Sequence, residues 1–443
     1  MDLNFYKDGN IHFTGCAGAG MAPLMYIMHR KGFNVSGSDL EKNANTENLA
    51  ACGLKVFKGQ SRDNLPLNSK KLLLVYSSAV KEDNPELAYA RSQDWTCLRR
   101  GEMLSEIAAT YKRPVAISGS HGKTSVTAML AHILRESGAA PGYMVGGKVK
   151  GWKFSSDPGN GDIFVTEVDE SDGTHASTKT HIAVVTNVED DHCWSVGGTE
   201  ALYNNFAQFA RQGHKLIYVQ SEIPDRLFKT HPDKTALSKE EIDDKKFFKH
   251  LSTEELSGLG GFQRWNAAVA VSAAAELGIE REKAEKAVLS FPGVERRMTV
   301  RYTGENLVIM EDYAHHPTEV RASISALRER FPEYHLKLVF QPHRYARLQR
   351  YFEGFAEELS KADSSVIVPV FAAWVEKGEN MLTSKDLAAK IGVESEFIDG
   401  SWEETAGKII SSINEKTLLA VLAAGDADAL FPFLIKYSET MKK

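Results

Sequence analysis

The most constraining feature of this sequence is AISGSHGKTSVTAML, residues 116–130, where a glycine-rich turn joins an apolar run to an amphipathic helical pattern. Gly119 and Gly122 allow backbone N–H groups to approach phosphate oxygens, and a helix N-terminus favours negative charge. In such a loop Lys123 reaches the terminal phosphates and Thr124 places its hydroxyl on Mg²⁺. The alternative is a strand-to-helix turn that happens to contain lysine. The predicted ligand is ATP.

Ten short apolar runs alternate with helical patterns, which favours an α/β fold with mainly parallel sheets. The chain has 443 residues, a length that predicts about three domains. We place the boundaries before the strand that leads into the glycine loop and at SFPGVERR, where proline and glycine interrupt a helical pattern. The predicted domains are 1–102, 103–292 and 293–443. We expect the polar stretch 221–260 to be a surface elaboration of the middle domain.

Composition excludes several classes of partner. The net charge is −6 and no long block of lysine and arginine occurs, so we expect no nucleic acid and no anionic membrane as partner. The first ten residues carry charges where a signal peptide would need an apolar stretch, and no run reaches the roughly 18 apolar residues of a membrane span, which favours a cytoplasmic protein. Four widely spaced cysteines without a CxxC pair argue against a disulfide framework or a thiolate zinc site.

A second glycine turn lies in IHFTGCAGAGMAPLM, where Gly15, Gly18 and Gly20 follow a predicted strand. Asp39 ends the next predicted strand, 19 residues after Gly20, where a ribose-binding acid would lie. By itself this pattern suggests NAD, although any diphosphate nucleotide would suit it. A tight turn that only packs a helix on a strand needs the same glycines, so both interpretations stay open.

Acidic side chains and a histidine follow two more apolar strands, in VTEVDESDGTHAS and VVTNVEDDH. In open parallel sheets ligands bind outside the carboxyl ends of strands. A Mg²⁺ beside ATP phosphates takes one or two protein oxygens plus water, which makes Glu167 a candidate ligand and His192 an unusual one. Asp190 and Asp191 would repel each other without a cation nearby. The alternative is solvated loop charge.

The last predicted domain carries two further clusters at strand ends, in EDYAHHPTEV and FQPHRYARL. They contain His315, His316, His343, Arg344 and Arg347. Arginine is the side chain suited to bidentate recognition of carboxylate or phosphate, so the clusters suggest an acidic substrate. The alternative is that the arginines cap helices and a histidine–proline pair simply starts one.

Taken together, these stretches resemble the ATP-dependent Mur ligases of peptidoglycan synthesis over nearly the whole chain. The motifs that carry the resemblance are, in chain order, GCAGAGM, VSGSD, YSSAV, RRGEML, GSHGKT, EVDESD, VTNVEDDH, DYAHHPTEV and FQPHRYAR. The last two are most similar to the branch of the family whose substrates are UDP-N-acetylmuramate and L-alanine. The short G-[ST]-H-G-K-T loop is also characteristic of this family.

The resemblance implies a Rossmann-like N-terminal domain for the UDP moiety, a central P-loop ATPase-type α/β domain, and a C-terminal Rossmann-like α/β domain that closes on ATP and the amino acid. It shifts the ligand of the first glycine turn from NAD to a UDP-sugar. The implied reaction phosphorylates the lactyl carboxyl with ATP and Mg²⁺, and the alanine amine then attacks the acyl phosphate. We expect a monomer or a homodimer.

The family's functional residues carry over to matching positions. The resemblance implies catalytic roles for Lys123, His315, Arg344 and Arg347. It implies metal ligands at Thr124, Glu167 and His192. For ATP it implies Gly119, Ser120, His121, Gly122, Lys123, Thr124, Ser125, Asn266, Arg297 and Asp312. For UDP-N-acetylmuramate and L-alanine it implies Gly15, Gly18, Gly20, Met21, Asp39, Ser77, Ser78, Arg99, Tyr313, His315, His343, Arg344 and Arg347.

The chain departs from the family pattern in two places. GGFQRWN replaces G-x-H-N-x-x-N, so that only Asn266 clearly carries over. Cys193 and Trp194 follow the metal-binding histidine where the family has Met-Asp. No lysine follows His192 before Lys215, and we predict no carbamylated lysine. Three alternatives stay open: a ligase of the same family with another acceptor such as a tripeptide, an NAD-dependent oxidoreductase, and a non-catalytic nucleotide-binding module.

Overall fold

The computed structural model describes residues 1–171, 173–191, 193–244, 246–257, 259–373, 381–392 and 394–440. The chain divides into two compact units. Unit 1 comprises Met1–Leu256 and Arg264–Pro292, and unit 2 comprises Ser257–Gln263 and Gly293–Lys443. None of the helices in the described ranges is long and apolar enough to cross a membrane.

Unit 1 begins with a parallel five-stranded sheet in the order β3-β2-β1-β4-β5. Its strands are β1 (Asn10–Thr14), β2 (Val35–Asp39), β3 (Lys55–Lys58), β4 (Leu72–Tyr76) and β5 (Thr96–Arg99). Its helices are α1 (Met21–Arg30), α2 (Ala44–Ala51), α3 (Pro85–Ser92) and α4 (Arg100–Ala108). The order in which the chain adds strands to the sheet reverses between β1 and β4. Ligands bind at this point in doubly wound folds.

A seven-stranded sheet in the order β12-β11-β10-β6-β9-β7-β8 follows in the same unit, parallel except for the β7–β8 pair. Its strands are β6 (Arg113–Ser118), β7 (Gly142–Met144), β8 (Ser156–Asp157), β9 (Ile163–Glu167), β10 (Thr180–Val185), β11 (Gly213–Val219) and β12 (Lys234–Leu237). Its helices are α5 (Lys123–Glu136), α6 (Thr199–Gln212), α7 (Glu222–Leu227), α8 (Lys239–Asp243), α9 (Thr253–Ser257), α10 (Gly261–Glu276) and α11 (Arg281–Leu289).

Unit 2 contains a six-stranded sheet in the order β13-β14-β18-β15-β16-β17, parallel except for the β13–β14 pair. Its strands are β13 (Thr299–Thr303), β14 (Leu307–Asp312), β15 (His335–Gln341), β16 (Ser364–Ile367), β17 (Glu394–Phe397) and β18 (Thr417–Ala423). Its helices are α12 (Pro317–Arg330), α13 (Tyr345–Arg350), α14 (Phe352–Leu359), α15 (Ser384–Ile391), α16 (Trp402–Ser411) and α17 (Phe431–Thr440).

These sheets confirm the predicted α/β class with three sheet-based parts and mainly parallel strands. All ten apolar runs contain strands, because strands covered on both faces consist of consecutive apolar residues. The polar stretch 221–260 differs from expectation, since it contributes the edge strand β12 as well as surface helices. The boundaries at 102 and 292 stay predictions; residue 102 lies within α4.

Candidate active site

The glycine loop between β6 and α5 needs glycine at two positions. Gly119 has φ +133° and Gly122, the residue before the helix, has φ +85°. Both values lie in the region that glycine adopts without steric cost. A Cβ on Gly119 would also overlap the hydroxyl of Thr186 and lie 3.0 Å from the carbonyl oxygen of Asn187. The backbone of this loop therefore lies directly against the loop that follows β10.

Hydrogen bonds fix the glycine loop to that neighbouring loop. The backbone N–H of Ser120 donates to the carbonyl of Asn187 at 3.3 Å, and the N–H of His121 donates to Asn187 Oδ1 at 2.8 Å. In return, Thr186 Oγ1 and Asn187 Nδ2 donate to the carbonyl of His121 at 2.6 and 3.0 Å. These contacts hold the loop in shape without any bound nucleotide.

The first turn of α5 provides donors for an anion. No side chain caps the start of this helix, so the N–H groups of Lys123, Thr124 and Ser125 have no intrahelical acceptor. Such groups, together with the helix dipole, favour negative charge. The predicted phosphate-binding residues 119–125 thus form one continuous strand-to-helix turn, and their contacts with ATP stay predictions.

The ammonium group of Lys123 lies inside this turn. Its Nζ donates to the carbonyl of Gly119 at 2.5 Å and to the two carboxylate oxygens of Glu170 at 3.0 and 2.8 Å. Burial acts to lower the pKa of Lys123, but the charges of Glu170 and Asp169 raise it above its usual value. The side chain therefore remains cationic at neutral pH.

Two of the three predicted metal ligands touch each other. Thr124 Oγ1 donates to Glu167 Oε2 at 2.8 Å. The other oxygen, Oε1, is buried against the backbone of Gly146. Burial raises the pKa of Glu167 in spite of the Thr124 hydroxyl, the Lys123 charge and the Gly146 backbone. Adjacent hydroxyl and carboxylate oxygens are the ligand types that a hard divalent cation such as Mg²⁺ prefers. The third predicted ligand, His192, lies outside the described residues.

Asn266, the predicted adenine-side residue, lies in α10 and is buried. Its Nδ2 has no hydrogen-bond partner among the residues that the structure describes. An unsatisfied buried amide is costly, and a bound ligand that accepts from it would remove that cost. The neighbouring Trp265 instead donates its indole N–H to Asp243 at 2.6 Å.

The first glycine turn joins β1 to α1 and contains the predicted UDP-binding residues. Gly15 has φ +82°, and a Cβ there would lie 3.0 Å from Cβ of Ser77, so the ends of β1 and β4 are adjacent. Asp39 Oδ2 accepts the N–H of Ala17 at 2.8 Å, which places this carboxylate against the turn. Gly18 accepts from the N–H of Met21 at 2.9 Å as the helix begins.

Four other predicted residues surround this turn at the carboxyl edge of the first sheet. Gly20 directly precedes α1, where a Cβ would lie 2.8 Å from Cδ of Arg100. Ser77 and Ser78 follow β4, and Arg99 ends β5 with its Nε donating to the hydroxyl of Tyr76 at 3.4 Å. The structure thus brings the predicted UDP-binding residues to one edge, and their ligand stays a prediction.

In unit 2, His315 is held in one tautomer. Its Nδ1 lies 2.9 Å from the carbonyl oxygen of Tyr313 and 3.2 Å from a carboxylate oxygen of Glu319. Because both neighbours are acceptors, Nδ1 carries the hydrogen and Nε2 carries the lone pair. Burial, with a smaller contribution from the charge of Arg347, lowers the pKa of His315 to about 4 against the opposing effect of Glu319.

The second cluster of unit 2 brings two arginines and a histidine together at the end of β15. Arg344 has φ +70° and donates its N–H to the carbonyl of Phe371 at 2.8 Å, and its buried Nε has no acceptor in the described ranges. Arg347 is 2% exposed and lies 3.3 Å from His343 Nδ1. The rings of His343 and His315 are 5.6 Å apart. Arg347, His343 and His315 therefore lie next to one another, and Arg344 is adjacent to His343 in the chain.

Asp312 ends β14 beside this cluster. It is buried, its Oδ1 accepts the N–H of Met298 at 3.1 Å, and its Oδ2 accepts the hydroxyl of Ser323. Burial raises the pKa of Asp312 although Arg297 opposes the effect. The guanidinium of Arg297 lies 4.9 Å from the ring centre of Tyr313. The predicted contacts of Asp312 and Arg297 with ATP stay predictions.

Sequence reasoning missed the residues that support the phosphate loop. Asn187 and Thr186 anchor the loop backbone, and Glu170 pairs with the lysine. The sequence signal for Asn187 and Thr186 is that two polar residues directly follow a buried strand. Many loops have this pattern, so it does not single out an anchor. Glu170 was one of several acids in VTEVDESDGTHAS.

Comparisons with known proteins decide the family. The model described as "Mur ligase family, catalytic domain" matches residues 10–112, "Mur ligase middle domain" matches 117–308, and "Mur ligase, glutamate ligase domain" matches 296–427. A UDP-N-acetylmuramate–L-alanine ligase from Syntrophomonas wolfei is 35% identical over 446 aligned positions, which cover 94% of each chain. The chain belongs to the Mur ligase family.

Other Mur ligases support this assignment. A UDP-N-acetylmuramate–L-alanine ligase from Aquifex aeolicus is 32% identical, with 94% of each chain covered. The crystal structure of a UDP-N-acetylmuramate–alanine ligase from Thermotoga maritima shares the fold, with a TM-score of 0.77 at 22% identity over 98% of this chain and 100% of that one. A murein peptide ligase from Psychrobacter arcticus also shares the fold, with a TM-score of 0.65 at 19% identity over 97% and 98%.

Proposed function

We propose that this Mur ligase joins L-alanine to the lactyl carboxyl of UDP-N-acetylmuramate, with conversion of ATP to ADP and phosphate. The observation that supports the proposal most is the glycine loop, in which the ammonium group of Lys123 lies over the backbone of Gly119 beside the uncapped first turn of α5. Relatives that are about a third identical to this chain over nearly its whole length are named UDP-N-acetylmuramate–L-alanine ligases. The reaction belongs to peptidoglycan synthesis, and we place it in the cytoplasm.

Unit 1 activates the carboxyl group. The loop amides and Lys123 bind and orient the triphosphate, so that its terminal phosphoryl group can be transferred to the lactyl carboxylate. Mg²⁺ held by Thr124 and Glu167 would offset the negative charge on the phosphoryl oxygens. Because phosphoryl transfer depends on positioning and electrostatics, Lys123 is the residue to which we assign the largest effect. Asn266 donates to the nucleotide from the adenine side.

Unit 2 supplies the groups for the amino acid. Arg344 and Arg347 bind carboxylate, the chemistry for which a guanidinium is suited. His315 presents the lone pair of Nε2 and is neutral at pH 7 because its pKa is low. It can therefore accept a proton from the alanine nitrogen as the neutral amine attacks the acyl phosphate and phosphate leaves, although a base with a pKa of about 4 is weak and its contribution will be modest.

The test is release of inorganic phosphate by the purified protein. Release should require ATP, Mg²⁺, UDP-N-acetylmuramate and L-alanine together, and omission of any one should abolish it. The isolated product should be heavier than UDP-N-acetylmuramate by one alanine residue. Phosphate release without a ligated product, or no release with all four components, would contradict the proposal.

Two further measurements distinguish the proposed function from a tripeptide ligase and from an NAD-dependent oxidoreductase. Replacement of L-alanine by a tripeptide should give no product, whereas a ligase of the murein peptide type would use it. Titration with NADH should give no binding signal, whereas an NAD-dependent oxidoreductase would bind it. Light scattering on the same sample distinguishes a monomer from a homodimer.

A further inference from the structure

We propose that Glu170 is a positioning residue for Lys123: it holds the ammonium group folded over the glycine loop in the nucleotide-free protein and releases it when a triphosphate binds. The inference rests on the proposed function, since it takes the loop as an ATP site. Glu170 lies three residues beyond Glu167, the last residue of β9, and only 1% of its side chain is exposed. It is distinct from the predicted metal ligands.

The hydrogen bonds of Lys123 show that its donors are already in use. An ammonium group has three N–H bonds. Here they face the carbonyl of Gly119 at 2.5 Å and the two oxygens of Glu170 at 3.0 and 2.8 Å, with the carbonyl of Ser120 at 3.4 Å. Lys123 therefore cannot donate to a phosphate oxygen until at least one of these contacts opens.

Glu170 becomes an unpaired buried charge when Lys123 moves away, and this costs free energy. Burial, with a smaller contribution from the adjacent Asp169, raises the pKa of Glu170 to about 7 against the opposing charge of Lys123. The other charged groups described here are Glu167, on the same segment, and Arg100, which lies 3.9 Å from Asp169. A buried carboxylate that loses its cation is destabilised. Glu170 and the terminal phosphate thus compete for one lysine.

This competition predicts opposite effects on binding and turnover. Removal of the Glu170 charge frees Lys123 for phosphate and should strengthen nucleotide binding. The same change removes the contact that fixes the position of the ammonium group, so turnover should fall. A residue that only supported the fold would weaken both.

The experiment measures the affinity of a non-hydrolysable ATP analogue with Mg²⁺ by equilibrium titration. Glu170→Gln should bind roughly three- to tenfold more tightly than the wild type, since the loss of a competing ion pair is of this order. The KM for ATP should fall and kcat should fall as well. Glu285→Gln is the matched control, because Glu285 is also fully buried and paired, with Arg281 at 2.8 Å, and its affinity should be unchanged.

A second pair of variants separates competition from simple repulsion. In a Lys123→Ala background there is no ammonium to release, so Glu170→Gln should change the affinity less than about twofold. A persisting gain would mean that Glu170 merely repels phosphate, and would overturn the proposal. Unchanged or weaker binding by Glu170→Gln alone would also overturn it.

Folding is checked independently. If Glu170→Gln melts at a much lower temperature, Glu170→Asp keeps the charge, draws it back by one methylene and should give a smaller gain in affinity. Equal or weaker binding by a folded Glu170→Asp would contradict the proposal. Failure of the wild type to bind the analogue would contradict the proposed function itself, which distinguishes the two outcomes.

Discussion

At the scale of single residues, the residue type at each key position of the phosphate loop has its own physical cause. Gly119 is needed because of its φ of +133° and the closeness of Thr186. Lys123 supplies a positive charge, because Glu170 and Asp169 raise its pKa and keep its ammonium group protonated. Thr124 supplies a hydroxyl to Glu167. The loop is therefore a set of separable contributions that single substitutions can test.

Lys123→Ala should reduce the rate of phosphate release by about a thousandfold, because one preorganised charge at a transferred group contributes about this much. The fold should persist, with an unchanged circular dichroism spectrum. Lys215→Ala is the control: its ammonium pairs with the exposed Asp233 at 2.7 Å, and its activity should match the wild type. Near-normal turnover in Lys123→Ala would contradict the assignment.

Gly119→Ala should displace the glycine loop, because alanine is strained at this φ and its methyl group would overlap Thr186. We expect a loss of about 1–3 kcal/mol in the free energy of unfolding and a loss of nucleotide binding. Gly138→Ala, beyond the other end of α5, also has positive φ but meets no atom within 4 Å. It should lose some stability and keep its nucleotide affinity.

Much of the site is readable from the sequence at this scale, and some of it is not. The glycines, Lys123 and Thr124 follow from the spacing of the loop. Glu170 does not, because only the folded turn shows which of several neighbouring acids faces the lysine. The pKa of about 4 for His315 likewise depends on burial, which no local pattern gives.

At the scale of elements, a buried carboxylate ties the first sheet to α3. Glu86 is fully buried, and its Oε2 accepts from Thr14 at 2.7 Å, Ser38 at 2.6 Å and His12 at 3.3 Å. Its Oε1 accepts two further hydrogen bonds from residues in the segment 61–64. One side chain thus satisfies donors from β1, β2 and a connecting loop.

Glu86→Gln should destabilise the protein in a pH-dependent way. Burial acts to raise the pKa of Glu86, but hydrogen bonds from His12, Ser38 and Thr14 lower it to about 2 from an ordinary 4.5. A lowered pKa contributes stability that is complete above about pH 4.5 and is lost as the pH falls towards 2. The contribution at pH 7 is about 3 kcal/mol.

Urea unfolding at pH 7 and at successively lower pH measures this effect. The difference between wild type and Glu86→Gln should shrink below about pH 4.5. Glu82→Gln, at an exposed glutamate, should show no comparable difference at any pH. A pH-independent difference would mean that Glu86 acts through packing alone.

Elements were predictable where burial leaves a strong pattern. Strands β4 and β18 are apolar almost throughout, because both faces are covered. The short strand β3 was missed, since its sequence KVFK has exposed ends and only partly buried centre. Short strands with charged ends give little hydrophobic signal.

At the scale of the whole molecule, the sequence predicts three domains and the structure contains three sheets, yet the chain forms two compact units. The first two sheets share one hydrophobic cluster. Tyr26 of α1 stacks on Phe154, with ring centres 4.4 Å apart, and Tyr111 stacks on Phe164 at 4.8 Å. Contacts between residues so distant in sequence leave no periodic signal.

Fragments should reproduce this division. Residues 293–443 should fold alone, because their sheet has a hydrophobic cluster on each face. Residues 1–292 should bind the ATP analogue, since the phosphate loop and Glu167 lie within them, but should ligate nothing without Arg344 and Arg347. Circular dichroism with urea unfolding tests the first expectation, and titration with product analysis tests the second. A fragment 1–292 without affinity for nucleotide would contradict the assignment of the loop.

The anchoring of the glycine loop by Asn187 and Thr186 has a kinetic consequence. A loop that already has its final backbone shape does not have to reorganise on each encounter, so association should be paced by diffusion and by the rapid rotation of one lysine side chain. Observed rates in stopped-flow mixing should therefore rise linearly with nucleotide concentration, without the plateau that a slow refolding step would impose.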